Sequence, residues 1–258
     1  MLLVFDVGNT KTAIGLHDGD AWVRDWRIST QADRLADETA ALLDSLLSGA
    51  DVSRQDVDGL AAASVVPSAT EILRNLAERH FGIPLFVLNH KTARGIRLAV
   101  DTPEETGPDR IANTVAVHHL YGVDAIVLDA GTALTFDVIS REGEYRGGAI
   151  APGLGVSAEA LVRRTARLPR VELRLPKRVV GTHTVAAMQS GLVHGWTGMV
   201  REMVRLLKEE LGGKHTVIAT GGLAQQVADW TGVVDLVNER LTLEGVRIVV
   251  SRDAAAPA

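Results

Sequence analysis

The chain has 258 residues, of which 46% are hydrophobic and none is cysteine, and its formal net charge is −5. Such a chain can bury a sizeable core, and without cysteine it has no disulfide, thiol nucleophile or cysteine-ligated metal centre. The mildly acidic balance argues against a nucleic-acid partner, and the absence of any uncharged apolar run of about 18 residues argues against a membrane span, so we expect a cytoplasmic protein.

The first part of the chain alternates strands and helices. Residues 2–28 contain three short apolar runs around the turn HDGD, which predicts an antiparallel meander. Apolar spacing then predicts a helix in ADRLADETAALLDSLL, a strand in GLAAASVV, a helix in ATEILRNLAERHF and a strand in IPLFVL. The segment PDRIANTVAVHHLYG predicts a helix whose first turn tolerates Pro108.

The second part of the chain repeats this order. AIVLDAG, ALTFDVIS and EYRGGAIAP predict another meander, SAEALVRRTA a helix, and the segment from about His183 to Leu211 a long helix. HTVIATGG and LAQQVADW then predict a strand and a helix. Together the two parts predict a duplicated α/β unit with a cleft between the copies. We place the halves at residues 1–122 and 123–250 and a flexible tail at residues 251–258.

Each half opens with an apolar strand that ends in an Asp-x-Gly turn. The segment from Asp6 to Thr10 is matched at nearly the same spacing by the segment from Asp129 to Thr132. One such turn alone is explained by local backbone bonds, because turns favour Asp, Asn, Gly and Thr. Their repetition favours phosphate binding, in which glycine admits an anion close to the backbone, N–H and hydroxyl groups donate to phosphate oxygens, and the aspartate holds a cation. Facing each other across a cleft, two such turns would hold a polyphosphate from both sides.

Three further motifs each allow two interpretations, one structural and one functional. In TPEETGPDRIANT, the first interpretation is that Asp109 complements the dipole at the start of a helix, and the residues alone favour it. The second interpretation is that Asp109 is a base that accepts a hydroxyl proton during phosphoryl transfer. GGAIAPGLG is either loop chemistry or close backbone packing at the cleft, and ATGGLA is either a plain helix start or a floor for adenine and ribose.

Taken in order, these motifs resemble those of a known family. DVGNT, GPDRIANTVA, LDAGTALTFD, GGAIAPGLGVSAEALVRRTARLP, GTHTVAAMQSGLVHG, TGGLA and LTLEGVRIV resemble the type III pantothenate kinases of the actin-like, sugar-kinase and Hsp70-type superfamily. The resemblance implies duplicated ribonuclease-H-like halves with an ATP cleft between them. It also implies transfer of the ATP γ-phosphoryl group to the 4′-hydroxyl of pantothenate in coenzyme A synthesis, by a homodimer that uses Mg²⁺ and a monovalent cation, K⁺ or NH₄⁺.

The resemblance also implies roles for individual residues. The implied ATP-binding residues are Asp6, Val7, Gly8, Asn9, Thr10, Lys11, Thr12, Ala13 and Thr132. The implied substrate-binding residues are Val100, Gly107, Pro108, Asp109, Arg110 and Thr184. Asp109 would be the proton acceptor, Asp129 would associate with the monovalent cation, and Asp6 would lie near Mg²⁺. The resemblance therefore reverses the preference at Asp109 that the residues alone supported.

The chain departs from the family pattern at two positions. Pro108 stands where family members commonly carry alanine, and it fits a stiff helix start. Val100 stands where the family usually has a tyrosine that lines the pantothenate pocket, so we expect an effect on substrate affinity more than on chemistry.

The rival hypotheses are a kinase of another small hydroxyl compound, a phosphohydrolase of the same superfamily, and a non-catalytic ATP-binding regulator. The presence of Asp109 argues against the regulator.

Overall fold

The computed structural model describes residues 1–255. The strands, in chain order, are β1 (Leu2–Val7), β2 (Lys11–His17), β3 (Trp22–Ser29), β4 (Gly59–Ser64), β5 (Leu85–Val87), β6 (Arg97–Leu98), β7 (Ala125–Ala130), β8 (Ala133–Ile139), β9 (Glu144–Pro152), β10 (Thr216–Thr220) and β11 (Leu236–Val237). The helices are α1 (Ala36–Ser48), α2 (Pro67–Leu76), α3 (Pro108–Leu120), α4 (Leu154–Arg163), α5 (Thr184–Leu211), α6 (Ala224–Thr231) and α7 (Leu241–Ala255). Short 3₁₀ turns cover Arg54–Asp56 and Pro103–Glu105, and a π-helical turn at Ala77–Phe81 continues α2. None of the helices in the described part of the chain has the length and apolar character needed to cross a bilayer.

The chain divides into two compact units. The first comprises residues 1–122, 142–145 and the segment from 241 onwards, and the second comprises 123–141 and 146–240. The predicted halves, 1–122 and 123–250, differ from these units chiefly at α7, which packs with the first unit. Residues 251–255 of the predicted tail form the end of α7, where the Arg252 guanidinium contacts His119 on α3, and residues 256–258 lie outside the described residues.

A five-stranded sheet of order β3-β2-β1-β4-β5 forms the centre of the first unit. β1 is antiparallel to β2 and parallel to β4. Successive side chains of a strand point to opposite faces, so Leu3 and Phe5 pack in one core with α1 and α2, while Val4 packs in another with α3 and α7. Burial on both faces explains why β1 is a continuous apolar run. Also within this unit, β6 pairs with the Glu144–Tyr145 end of β9.

The second unit is built around the strand order β11-β10-β7-β8-β9. β7 is antiparallel to β8 and parallel to β10. Leu128 and Phe136 pack on one face of this sheet with residues of α4, α5 and α6. The long helix α5 supplies Trp196, Val200 and Val204 to this core.

The two sheets have the same topology around the strand that carries the Asp-x-Gly turn. In each unit this strand lies between an antiparallel hairpin partner and a parallel strand that arrives later in the chain. Asp6 is paired with Ala13 and Ala63, and Asp129 is paired in the same way with Thr135 and Thr220. The structure thereby confirms the predicted duplicated α/β fold.

Candidate functional site

The β1–β2 turn forms the first part of the candidate site. The N–H of Gly8 donates to the carbonyl oxygen of Lys11 at 3.0 Å and closes the turn. Asn9, Thr10 and Lys11 are exposed, whereas the side chain of Asp6 is half-buried beside them. The predicted segment from Asp6 to Ala13 is thus brought together in one hairpin that presents its tip to solvent.

The side chains of this hairpin differ in what they can offer a ligand. Val7 is buried in the core with α1 and α2, so its part in any ligand contact is limited to its backbone. The side chain of Ala13 packs against the other core, and Thr12 is buried. The exposed tip is therefore the part of the hairpin whose side chains are accessible to a ligand.

The β7–β8 turn is the matching candidate phosphate-binding turn of the second unit. Its Gly131 N–H donates to the carbonyl oxygen of Ala133 at 2.9 Å. Gly131 and Thr132 are exposed, and the Asp129 side chain is half-buried, as Asp6 is in the first turn. The predicted pair of Asp-x-Gly turns is therefore matched in burial as well as in topology.

The backbone supports the second turn closely from two sides. The N–H of Gly153 donates to the Thr132 carbonyl oxygen at 3.1 Å, and the N–H of Leu223 donates to the Ala130 carbonyl oxygen at 3.1 Å. Gly153 and Leu223 directly precede α4 and α6, so both helices begin beside this turn. Helix N-termini carry partial positive charge and favour anions. This arrangement suits a phosphate group at the turn.

Two glycines make this close packing possible. A Cβ atom at residue 153 would lie 2.4 Å from the carbonyl oxygens of both Gly131 and Thr132. One at Gly221, whose φ is +87°, would lie 2.5 Å from Asp129 Oδ1 and 2.9 Å from the Ala130 backbone. For GGAIAPGLG and ATGGLA the structure therefore shows close backbone packing against the Asp129 turn. Sequence reasoning marked both motifs but gave no role to Gly153 or Gly221, because nothing in the spacing says which strand they approach.

Asp109 lies in the first turn of α3, with Pro108 as the first helical residue and Gly107 as the N-cap. Its Oδ1 atom is buried and has no hydrogen-bond partner among residues 1–255. A Cβ atom at residue 107 would lie 2.3 Å from this oxygen, so the carboxylate folds back over Gly107. No side chain caps α3. Oδ1 of the carboxylate is therefore a hydrogen-bond acceptor that no donor of the helix occupies.

The remaining predicted substrate-binding residues lie in both units. Val100 is half-buried and follows β6 in the first unit, beside the 3₁₀ turn that leads to Gly107. Arg110 is half-buried, and its carbonyl oxygen accepts from the Thr114 hydroxyl at 2.8 Å. Thr184 is the exposed first residue of α5 in the second unit, after the N-cap His183. The predicted substrate-binding residues are therefore divided between the units, with residues 100–110 in the first and Thr184 in the second.

Comparison with known proteins identifies the family. The family model described as type III pantothenate kinase matches residues 2–206. The chain belongs to the type III pantothenate kinases. It is 42% identical to a type III pantothenate kinase from Syntrophus aciditrophicus (strain SB), over 98% of this chain and 100% of that one. It is 45% identical to one from Roseiflexus castenholzii (strain DSM 13941 / HLO8), over 96% of this chain and 98% of that one.

A solved structure supports the fold of this type III pantothenate kinase family member. The activator of 2-hydroxyisocaproyl-CoA dehydratase from Clostridium difficile, with bound ADPNP, superposes with a TM-score of 0.56 over 100% of this chain and 98% of that one. Its sequence is 12% identical to this chain. At that identity the likeness is one of fold.

Proposed function

We propose that the protein transfers the γ-phosphoryl group of ATP to the 4′-hydroxyl of pantothenate, the first step of coenzyme A synthesis, in the cytoplasm. The observation that carries this proposal is the Asp109 carboxylate. Its buried Oδ1 has no hydrogen-bond partner in the described chain, so it can accept the proton of a substrate hydroxyl. The family supplies the identity of the substrate, because the full-length relatives are named as pantothenate kinases.

The two Asp-x-Gly turns are proposed to bind the phosphates of ATP. Asn9 to Lys11 and Gly131 to Thr132 are exposed at the tips of matched hairpins. Backbone N–H groups and threonine hydroxyls at such tips donate to phosphate oxygens. The N-termini of α4 and α6 beside the second turn add partial positive charge. In this proposal both turns donate to the phosphates of the nucleotide.

The cations are proposed to bind at the two aspartates. Mg²⁺ at a kinase site takes one or two carboxylates together with phosphate oxygens and water, and does not need a cage of protein ligands. A single half-buried Asp6 at the phosphate turn fits this. When bound, Mg²⁺ supplies charge neutralisation of the phosphates.

A monovalent cation, K⁺ or NH₄⁺, is proposed beside Asp129. Its Oδ1 packs closely against Gly221, which fixes the position of the carboxylate. The carbonyl oxygens of the surrounding turn are hard oxygen donors, which suit such a cation. Replacing Gly221 by a larger residue would displace the carboxylate.

The chain's own residues then act mainly by positioning and electrostatics, as is usual for phosphoryl transfer. Asp109 takes the proton of the 4′-hydroxyl as the hydroxyl oxygen forms its bond to the γ-phosphorus. ADP leaves with the electron pair of the broken P–O bond. Arg110, next in the chain, holds the acceptor or the charge that develops on the transferred group. The products are 4′-phosphopantothenate and ADP.

The proposal includes a homodimer whose interface completes the substrate pocket. The second unit exposes several apolar side chains. Their exposed fractions are 64% for Ile150, 40% for Val156, 69% for Val179 and 77% for Val180. Contiguous exposed apolar patches are typical of surfaces that bind another protein, and in this proposal these side chains contribute to such a patch at the dimer interface. Light scattering at micromolar concentration should give twice the mass of one chain. A mass equal to one chain would contradict this part of the proposal.

A coupled assay of ADP release tests the proposed reaction. The wild-type protein is incubated with Mg²⁺-ATP, with and without pantothenate, in K⁺ and then in Na⁺ buffer. Release that requires both pantothenate and K⁺ is the expected result. ATP binding without pantothenate-dependent release would contradict the proposed substrate, and a panel of other small hydroxyl compounds would then identify the acceptor or leave the protein as an ATP-binding regulator.

A further inference from the structure

Thr30 makes three hydrogen-bond contacts to the hairpin that carries the first Asp-x-Gly turn. Its hydroxyl donates to the carbonyl oxygen of Gly8 at 2.7 Å, and its backbone N–H donates to the carbonyl oxygen of Thr10 at 3.0 Å. Its Oγ1 is also 2.9 Å from Oγ1 of Thr12. A hydroxyl has one hydrogen, and that of Thr30 is used on Gly8, so the Thr12 hydroxyl is the donor in the last contact.

These contacts extend the sheet by one step. The pairing of β2 with β3 ends at Lys11 and Ser29. Thr30 is the next residue along, and it bonds to backbone and side-chain groups on both sides of the turn. The turn is therefore tethered to the third strand of the meander as well as closed by its own hairpin bond.

The bond to Gly8 has a consequence for the direction of a backbone donor. In a planar trans peptide the C=O and the N–H point in opposite directions. Since the C=O of Gly8 points to Thr30, the N–H of Asn9, which belongs to the same peptide unit, points away from it. Rotation of this peptide unit would exchange the two groups and present a carbonyl oxygen where the N–H had been. A carbonyl oxygen repels a phosphate, whereas an N–H binds it.

Thr12 and Thr30 both line a small pocket of about 40 Å³ between the sheet and α1 and α2. Its other walls are largely apolar and include Ile28 and Leu43. Thr30 therefore connects the turn to the wall of this pocket through its bond to the Gly8 carbonyl oxygen.

We infer that Thr30 is a positioning residue, which locks the Gly8–Asn9 peptide so that the turn presents an N–H, and not a carbonyl oxygen, to a phosphate group of ATP. This inference rests on the proposed function in one respect, namely that the turn binds the nucleotide. Thr30 itself acts through Gly8 and Thr12 and is not a catalytic residue.

The test compares Thr30→Val, which replaces the hydroxyl by a methyl group of similar size, with Thr30→Ser, which keeps the hydroxyl. The matched control is Thr39→Val, because Thr39 lines the same pocket but its hydroxyl donates to the carbonyl oxygen of Leu35, the N-cap of α1, at 3.0 Å. The dissociation constant of Mg²⁺-ATP is measured without pantothenate, and KM for ATP and for pantothenate are measured in the ADP-release assay.

Thr30→Val should weaken Mg²⁺-ATP binding by about tenfold, as expected for a lost hydrogen bond in an anion site, and should leave KM for pantothenate within about twofold. Thr30→Ser and Thr39→Val should bind ATP as the wild type does. Thr30→Ala serves as the hydroxyl-deleting variant if Thr30→Val does not fold.

Two results would overturn the inference. One is ATP binding by a folded hydroxyl-deleting variant within twofold of the wild type. The other is equally weak binding by Thr30→Ser at an unchanged thermal midpoint, which would assign the effect to the methyl group. ATP binding by the wild type without turnover of pantothenate would contradict the proposed reaction alone and leave this test valid. No Mg²⁺-ATP binding by the wild type would contradict both.

Discussion

The carboxylate of Asp109 occupies the space in which a side chain at Gly107 would lie. A Cβ atom added to Gly107 would be 2.3 Å from Asp109 Oδ1 and 3.5 Å from Asp109 Cγ. The φ of Gly107 is −58°, which any residue adopts, so the glycine is not required by backbone conformation. It is required for the position of the carboxylate.

Gly107→Ala should therefore impair catalysis more than folding. The atom that must move is the end of a flexible side chain, so we expect a stability loss of about 1 kcal/mol or less, the usual cost of Ala at an N-cap. A displacement of about 1 Å of a catalytic group can reduce the rate by ~10²-fold, so we expect kcat for pantothenate to fall by roughly that factor. Steady-state kinetics and thermal unfolding of the same preparation measure both quantities.

The matched control is Gly198→Ala, in the middle of α5. An added Cβ there meets nothing within 4 Å. Replacing an exposed helical glycine by alanine stabilises by about 0.5–1 kcal/mol. We expect a slightly higher thermal midpoint and an unchanged kcat. If kcat of Gly107→Ala stayed within threefold of the wild type, the geometry at Gly107 would not matter for the reaction.

Asp109→Asn should reduce turnover without weakening nucleotide binding. A positioned acid–base group contributes ~10²–10⁴-fold to a rate, and asparagine keeps the shape of the side chain but not its basicity. We expect kcat to fall within that range, with the dissociation constant of Mg²⁺-ATP unchanged. A kcat within a few-fold of the wild type would show that Asp109 is not the proton acceptor.

The double variant Gly107→Ala/Asp109→Asn separates two routes by which Gly107 could act. If Gly107 acts only through the Asp109 carboxylate, the two effects are coupled and not additive. The double variant should then be no slower than Asp109→Asn alone, within about threefold. Losses that multiply would show an independent role for Gly107, such as direct contact with the substrate.

The fold could be predicted from the sequence where one pattern dominates. Both meanders and both Asp-x-Gly turns were predicted, because their strands are short apolar runs separated by turn residues. Helix α7 was not predicted. Leu241, Leu243, Val246 and Val249 are all nearly inaccessible to solvent, and a helix buried on several sides lacks the polar face that marks its period. Because the sequence pattern does not reveal this helix, it predicts a flexible tail from residue 251 onwards.

The candidate site could be predicted only as far as its local motifs. The spacing of Asp6 and Asp129 to their glycines indicated phosphate turns. Thr30 lies 22 residues from Gly8 in the chain, and only the register of β3 against β2 places it at the turn. Likewise, the residues around Asp109 favoured a helix-dipole role, because sequence does not reveal that its Oδ1 folds back over Gly107 and bonds to nothing in the described chain.

Gly221→Ala should destabilise the second turn, and the neighbouring Gly222→Ala should not. Gly221 has φ +87° and its added Cβ would lie within 3 Å of Asp129 Oδ1 and the Ala130 backbone, whereas an added Cβ at Gly222 meets nothing within 4 Å. Left-handed backbone costs a non-glycine residue about 1–2 kcal/mol before any clash, which lowers the thermal midpoint by roughly 4 °C or more at this chain length.

Gly221→Ala should also raise the K⁺ concentration needed for half-maximal activity, since its Cβ displaces the Asp129 carboxylate. Thermal unfolding and K⁺ titration of both variants measure these effects. Equal behaviour of Gly221→Ala and Gly222→Ala in both measurements would contradict the proposed role of this turn.

Val100→Tyr should tighten the binding of pantothenate. Val100 is half-buried after β6, where the resemblance to the family implies a tyrosine, and valine offers neither a hydroxyl nor a ring face. We expect a lower KM for pantothenate, with kcat and KM for ATP within about twofold of the wild type. Val100→Phe separates the two contributions, because it restores the ring without the hydroxyl. An unchanged KM in Val100→Tyr would place Val100 outside the pantothenate pocket.

Stability should fall as the pH is lowered, partly through His119. Burial lowers the pKa of His119 below its ordinary value of 6.5, and the Arg252 guanidinium lowers it further, against the raising effect of the bond to Val115. The Nδ1–H of the neutral ring donates to the Val115 carbonyl oxygen at 2.9 Å, which leaves Nε2 to accept from Arg252. Protonation of Nε2 would break this contact and bring two positive charges together.

The sign of the effect follows from proton linkage. Below about pH 6.5 the unfolded chain binds a proton at His119 more readily than the folded chain, so folding is disfavoured increasingly as the pH falls through the lowered pKa. His17 acts in the same direction, because burial and then Arg247 lower its pKa. The thermal midpoint should fall between pH 7.5 and 5.5, and the fall should be smaller in His119→Gln. Arg252→Gln should also reduce it, by raising the pKa of His119. The same pH dependence in wild type and His119→Gln would show that His119 takes no part.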